Sequence, residues 1–347
     1  MRSEKLTMAV VGLGYWGPNR LRVINDLHEA EVGWICDLEP ARLAHHAERN
    51  PLARATADID EPLADPAVDA VIIATPVFAH EELATKALEA GKHVFVEKPL
   101  AASCSQAAGL VELAERRDLV LACGHTFLHS PPVQAAKAMI DAGDLGAIHY
   151  VSSSRVNLGP YRSDVSAIFD LGPHDFSILR YWIERNPATV SAIGLDAISP
   201  GVADVAFVHL DFRDDLIAHV ELSWLAPSKL RRTVIIGSEK MLVYEDGSPE
   251  PLRLYDSGIE YRDPETFGEY QLSYRTGDIV SLRVEATEPI AAELRDFTGS
   301  VIDGHQPLAN GEVAVDVLRT VEAAEASMTR DGEVVRVEAS QVGDPAR

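Results

Sequence analysis

Four groups of residues in this 347-residue chain have types and spacings suited to chemistry. Gly12, Gly14 and Gly17 stand in G-x-G-x-x-G spacing behind the apolar run Met8 to Val11. That spacing permits a tight turn at Gly12, close approach of the backbone to a pyrophosphate at Gly14, and close helix packing at Gly17. Tyr15 and Trp16 complete the loop and join the candidate cofactor contacts. The helical pattern that follows aims unpaired N–H groups and a positive dipole end at the phosphates. Asp37 ends a second apolar run, Val32 to Cys36. A carboxylate there accepts from adenosine ribose hydroxyls and repels a 2′-phosphate, so NAD is expected over NADP. The alternative is an Asp that caps the next helix, since Pro40 is close.

Glu97-Lys98-Pro99 closes a further apolar strand. A lysine beside bound nicotinamide orients a substrate hydroxyl, and its charge favours the alkoxide that forms as hydride leaves. Pro99 fixes the backbone there, a cis bond being one of its two forms. A solvated Glu–Lys pair is the plain alternative. Asp170-Leu171-Gly172-Pro173-His174 sets a carboxylate and an imidazole four residues apart. With Pro173 in a first helical turn, the two share a face; the Asp then orients the ring and the His takes a proton near neutral pH. Asp170 as a cap, with His174 paired to Asp175, fits the spacing equally well.

Weaker candidates surround these. Thr75-Pro76 breaks the chain after Ala70 to Ala74, where a ligand can lie, and His80 either reaches the cofactor or begins the next helix. Arg155, Asn157 and Arg162 precede Asp170 and could bind a substrate phosphate or carboxylate, with surface salt bridges as the ordinary role of arginines. No metal cluster is expected, because His45-His46 lacks ligand spacing, and no G-x-S-x-G elbow occurs. Hydride transfer through a bound nicotinamide is the chemistry these groups suit.

The elements that must position them follow two patterns. Residues 8–125 alternate short apolar strands with helices at Pro40 to Arg49, Glu81 to Ala90 and Cys104 to Arg116. This predicts a Rossmann-type parallel sheet with right-handed crossovers, carrying Gly12, Asp37, Thr75 and Glu97 at its carboxyl edge. A second domain, 126–347, is expected as α+β. It has strands at Ile148 to Val156, Thr189 to Gly194, Val205 to Phe212, Ile217 to Trp224, Arg232 to Ile236 and Met241 to Tyr244, several alternating apolar and polar as in a sheet with one covered face. Pro173 to Ile183 reads as a helix, 245–286 as loops and short strands, and Glu288 to Ile302 and Glu312 to Met328 as amphipathic helices. These last helices are free to return to the first domain.

A net charge of −23, from 54 acids against 31 bases, argues against nucleic-acid or anionic-membrane partners. A hydrophobic share of 46% suits a globular chain. Three cysteines (Cys36, Cys104, Cys123) are too few and scattered for a disulfide framework. No apolar run reaches membrane-spanning length, and the first residues lack the apolar core of a signal peptide, so a reducing cytoplasm is expected.

Taken together, Gly12-Leu13-Gly14-Tyr15-Trp16-Gly17, Ala74-Thr75-Pro76 with His80, Glu97-Lys98-Pro99, and Asp170 with His174 resemble the glucose–fructose oxidoreductase, inositol dehydrogenase and rhizopine-catabolism (Gfo/Idh/MocA) family over nearly the whole length. The resemblance implies a Rossmann domain followed by a domain with a large, mainly antiparallel open sheet, whose face commonly builds dimers or tetramers. It also implies that Lys98, Asp170 and His174 match the catalytic lysine, aspartate and histidine, with Lys98 and His174 both near substrate and either one as the base. Gly-Tyr-Trp-Gly-Pro-Asn and Asp-Leu-Gly-Pro-His-Asp look closest to members that oxidise nucleotide-linked sugars at C3. A non-catalytic NAD-binding sensor and an inositol or free-sugar dehydrogenase that never releases its cofactor are the alternative expectations.

Overall fold

Strand β1 (Leu6–Val11) starts a sheet whose central strands are covered on both faces. α1 (Gly17–Asp26), β2 (Ala30–Cys36), α2 (Pro40–Arg49), β3 (Arg54–Thr56), α3 (Asp60–Ala64), β4 (Ala70–Ile73), α4 (His80–Glu89), β5 (His93–Val96), α5 (Cys104–Arg117) and β6 (Leu121–Cys123) follow in turn. The computed structural model describes residues 5–159, 162, 164–198, 200–213, 216–261 and 272–337. The strands lie in the order β3-β2-β1-β4-β5-β6 and all pair in parallel. Successive residues point to opposite faces of a strand. Met8, Val10, Ile72 and Phe95 therefore pack under α1, while Ala9, Val11, Val71, Ile73, Val94 and Val96 pack under α4 and α5. Burial on both faces is why these strands read as unbroken apolar runs.

The chain then forms α6 (Pro131–Asp141), β7 (Ile148–Val156), α7 (Ala167–Ile183), β8 (Thr189–Leu195), β9 (Val205–Asp211), β10 (Ile217–Ser223), β11 (Leu230–Gly237), β12 (Met241–Glu245), β13 (Leu252–Tyr261) and β14 (Leu272–Ser281). α8 (Pro289–Asp303), α9 (Gly311–Met328) and β15 (Val335–Arg336) complete it. The second sheet has nine strands in the order β14-β13-β12-β11-β7-β10-β9-β8-β15. It is antiparallel apart from the β7–β10 pair. Two compact units result: Met1–His129 with Thr287–Leu318, and Ser130–Ala286 with Arg319–Arg347. α8 thus belongs to the first unit, where Ile290, Leu294 and Phe297 join the core beside α1, and the dividing point falls within α9.

Several expectations need correction. α7 begins at Ala167, not at Pro173: Ser166 Oγ accepts from Phe169 N at 3.1 Å and caps the helix six residues earlier. Pro173 is therefore an interior residue that withholds one backbone donor. The stretch 245–286 holds two ten-residue strands, β13 and β14, paired to each other, with 262–271 outside the described residues. The short elements β3, α3 and β15 and the longer α6 were not read from the sequence. Two or three residues in a strand, five in a helix, or two prolines at a helix start give too little periodicity to detect.

Candidate active site

In the first unit a cleft of about 800 Å³ opens along the carboxyl ends of β1, β2 and β4. Gly12, Gly14, Tyr15, Trp16, Asp37, Thr75 and Pro76 line it. Gly12 has φ +92°, and a Cβ there would stand 2.7 Å from the Ala74 carbonyl. A Cβ on Gly17 would stand 1.9 Å from Gly12 O, so the loop and the start of α1 meet backbone to backbone. The Cβ position of Gly14 faces open space, with no atom within 4 Å. Trp16, the N-cap of α1, makes no side-chain cap, which leaves the first-turn amides available to an anion. A pyrophosphate fits this cradle.

Asp37 is less free than its position suggested. Its Oδ2 accepts from Leu13 N at 2.6 Å, and its Oδ1 accepts from Glu39 N at 2.8 Å. The carboxylate thus holds the glycine loop to the end of β2 while its edge lines the cleft, where Glu39, Arg42 and Glu82 are the other charged residues. Leu38 and Phe78 (81% exposed) also line the cleft. Neither was singled out from the sequence. The available signal was a large apolar residue in the loop that follows a strand, where a solvated loop would carry a polar one.

Of the other expected cofactor residues, Gly17, His80, Glu97 and Lys98 are not among those lining the cleft. Glu97 is buried and turned to Arg20, whose Nε donates to Glu97 Oε1 at 2.7 Å and whose Nη1 donates to Glu293 Oε2 at 2.6 Å. The guanidinium also lies 4.5 Å over the Phe95 ring. Burial would lower the Arg20 pKa, but the two carboxylates raise it above its ordinary value. Burial pushes the Glu293 carboxyl up to about 7, against Arg20 and a 2.9 Å bond from Thr126 Oγ1. This cluster ties α1, the end of β5 and α8 together immediately before Lys98. Glu97 is thus an anchor of the Lys98 loop, not a contact in the cleft. The Lys98–Pro99 bond is cis. Lys98 is half-buried at the end of β5. On β6, Cys123 pairs with Val96, and Gly124 N donates to Val96 O at 2.8 Å, which brings His125 level with Lys98. Both ring nitrogens of His125 are buried with no hydrogen-bond partner among the described residues. Burial, the Lys98 cation and His129 push its pKa down to about 3, so the ring is neutral.

In the second unit Asp170 and His174 lie four residues apart on α7, hence on one face. Trp224 Nε1 donates to Asp170 Oδ2 at 3.3 Å, and Arg162 Nη1 stands 3.7 Å from Asp170 Oδ1. Arg162 also holds Asp164 at 2.6 Å. Asn157 is half-exposed just beyond β7, its N donating to Ser223 O at 3.0 Å. Arg155 is a correction: it is buried under the sheet against Asp175, which also accepts from Ser153 Oγ at 2.8 Å. A guanidinium committed to a buried carboxylate is not offered to a substrate. Asp175 is thus engaged by both Arg155 and Ser153.

A parallel sheet with a glycine cradle at the crossover between β1 and α1 is the architecture of an NAD-binding oxidoreductase. Residues 6–125 match the oxidoreductase family with an NAD-binding Rossmann fold, and residues 133–243 match the Gfo/Idh/MocA C-terminal domain. The chain belongs to that family. It is 30% identical to scyllo-inositol 2-dehydrogenase (NAD(+)) of Bacillus subtilis over 68% of this chain and 72% of that one. It is 27% identical to UDP-N-acetylglucosamine 3-dehydrogenase of Acidithiobacillus ferrooxidans over 92% and 98%. The crystal structure of GenD2 from gentamicin A biosynthesis, in complex with NAD, superposes with a TM-score of 0.81 at 27% identity, covering 98% of each chain.

Proposed function

We propose that the chain is an NAD-dependent dehydrogenase acting on a secondary hydroxyl of a sugar or sugar nucleotide, with C3 of a UDP-hexose as the first substrate to test. The observation that carries this is chemical completeness on two elements. Lys98 follows β5 at the carboxyl edge of the cofactor sheet, and Asp170 and His174 share one face of α7. In the oxidation direction His174 removes the hydroxyl proton. Asp170, steadied by the Trp224 indole, supports the resulting imidazolium. Lys98 stabilises the alkoxide. Bound NAD supplies the hydride acceptor. Arg162 and Asn157 are the remaining candidates for substrate contacts, and Gly12, Gly14, Tyr15, Trp16, Asp37, Thr75 and Pro76 for NAD. The near-full-length likeness to the UDP-N-acetylglucosamine enzyme supports the sugar-nucleotide form.

A second copy of the chain is proposed to cover the exposed side of the nine-stranded sheet, where Tyr150, Ile193, Leu195, Phe207 and Ile217 present apolar surface. Among the described residues no helix is long and apolar enough to cross a membrane, in keeping with the proposed cytoplasmic setting. The test is formation of reduced nicotinamide, followed spectrophotometrically, with UDP-sugars, free sugars and inositols. Lys98→Ala and His174→Ala are each expected to lower turnover about 10²-fold or more while NAD still binds. Wild-type turnover in both variants overturns the assignment.

A further inference from the structure

His80 opens α4 and is 1% exposed. Its Nδ1 stands 2.8 Å from Pro99 O, and its Nε2 stands 2.8 Å from Thr75 O. Both partners are carbonyl oxygens, which only accept. A neutral imidazole has one N–H and one bare nitrogen, whereas the imidazolium has two donors. The neutral ring can therefore satisfy one carbonyl and must turn a lone pair on the other; only the protonated ring satisfies both. The two carbonyls belong to different loops. Thr75 follows β4 and lines the cofactor cleft, while Pro99 follows Lys98 beyond β5.

We propose that His80 is a positioning residue that couples the wall of the cofactor cleft to the loop bearing Lys98, holding one loop as the neutral ring and both as the imidazolium. The groups around it leave room for either state. Burial lowers its pKa, whereas the Pro99 and Thr75 carbonyls and the Glu97 carboxylate raise it, and the net position is below the ordinary value. The core beneath α4, which takes in Ala84, Ala87 and Leu88 of that helix, draws only apolar residues from β4 and α5: Val71, Ile73, Ala107, Leu110 and Val111. Glu97 and the adjoining Lys98 are the charges at the end of β5, with Arg20 paired to Glu97. Glu81 and Glu82 follow His80 on its own helix. Binding that needs the Thr75 wall in place raises the proton affinity of His80, and by reciprocity protonation tightens that binding. The NAD-binding half of this coupling is independent of the dehydrogenase mechanism; the half that runs through Lys98 rests on it.

The test is calorimetric titration of the full chain with NAD⁺ between about pH 7.5 and about pH 5, a window that reaches below the ordinary imidazole value, in wild type, His80→Gln and Lys98→Ala. Wild type is expected to bind roughly threefold or more tightly at the acid end. His80→Gln, whose amide keeps one donor and one acceptor at every pH, is expected to lose that slope, and Lys98→Ala to keep it. Nitrogen-15 chemical shifts of His80 in the wild type give a reading that needs no variant to fold. NAD⁺ saturation is expected to raise the pKa of the ring and to move both nitrogens toward the protonated position. An unchanged slope in His80→Gln, or a His80 whose titration does not respond to NAD⁺, overturns the proposal. If instead Lys98→Ala turns over like wild type while the slope and the shifts behave as expected, the catalytic assignment of Lys98 falls and the coupling of His80 to NAD stands.

Discussion

Strands β4 and β10 are both central to their sheets, yet they are buried in different ways. All four residues of β4 are buried, because helices cover both faces of the first sheet. β10 alternates, with Ala218, Val220 and Leu222 turned inward while Ile217, His219 and Glu221 face out. A strand covered twice has only its ends left for function, so the groups of the first unit that bear on cofactor chemistry collect at the carboxyl edge. A strand covered once keeps a face, and on this one the apolar Ile217 stands exposed beside the polar His219 and Glu221. The same logic separates the buried arginines. Arg20 carries two carboxylates at the functional edge; among the described residues Arg155 carries one, beneath the sheet.

The contrast can be broken by substitution. Arg20→Met leaves Glu97 and Glu293 buried without their cation and is expected to cost about 3–5 kcal/mol in urea unfolding. Arg155→Met strands one carboxylate that keeps its Ser153 bond, and its loss is expected to be the smaller of the two. Equal losses would remove the distinction. Ile72→Ala, fully buried in β4, is expected to cost about 2–5 kcal/mol. Ile217→Ala, 60% exposed on β10, is expected to stay within about 0.5 kcal/mol for the isolated chain while weakening self-association by sedimentation.

Acidity sharpens the comparison further. Burial holds the folded Glu293 pKa near 7, against an ordinary carboxyl value of 4.5. The folded state therefore binds the extra proton between those values. The stability this contributes is complete below the lower value and is lost as pH rises through the higher. Glu293→Gln is expected to flatten unfolding free energy over that window, and an unchanged pH slope would show that the proton resides elsewhere in the cluster. A modest effect is expected at the start of α7: Ser166→Ala removes its cap and is expected to cost about 1 kcal/mol, read as a drop in melting temperature.

Much of the fold was legible because its signals are local. The glycine loop, the helix Pro40–Arg49 and the strand His93–Val96 each sit within one window of periodicity and punctuation. α7 was misplaced because a proline was read as a helix start, while the cap that sets the start was a serine seven positions earlier. Asp37 was legible as a cleft residue, but its bond to Leu13 N spans 24 positions and leaves no mark in spacing. Arg155 illustrates the reverse: an arginine near candidate substrate residues looks available until a carboxylate 20 positions away is found against it.

By itself the sequence determined the classes of element, the parallel and antiparallel halves and the nucleotide cradle. Those depend on backbone propensity, on burial period and on the steric needs of three nearby glycines. Only the tertiary structure decided which charged side chains are spent on each other and which remain for a ligand. Arg20 with Glu97 and Glu293, Arg155 with Asp175, and His80 with the Pro99 carbonyl are made by residues that the fold brings together from separate elements. An ion pair or hydrogen bond depends on distance in space, and no pattern along the chain records it.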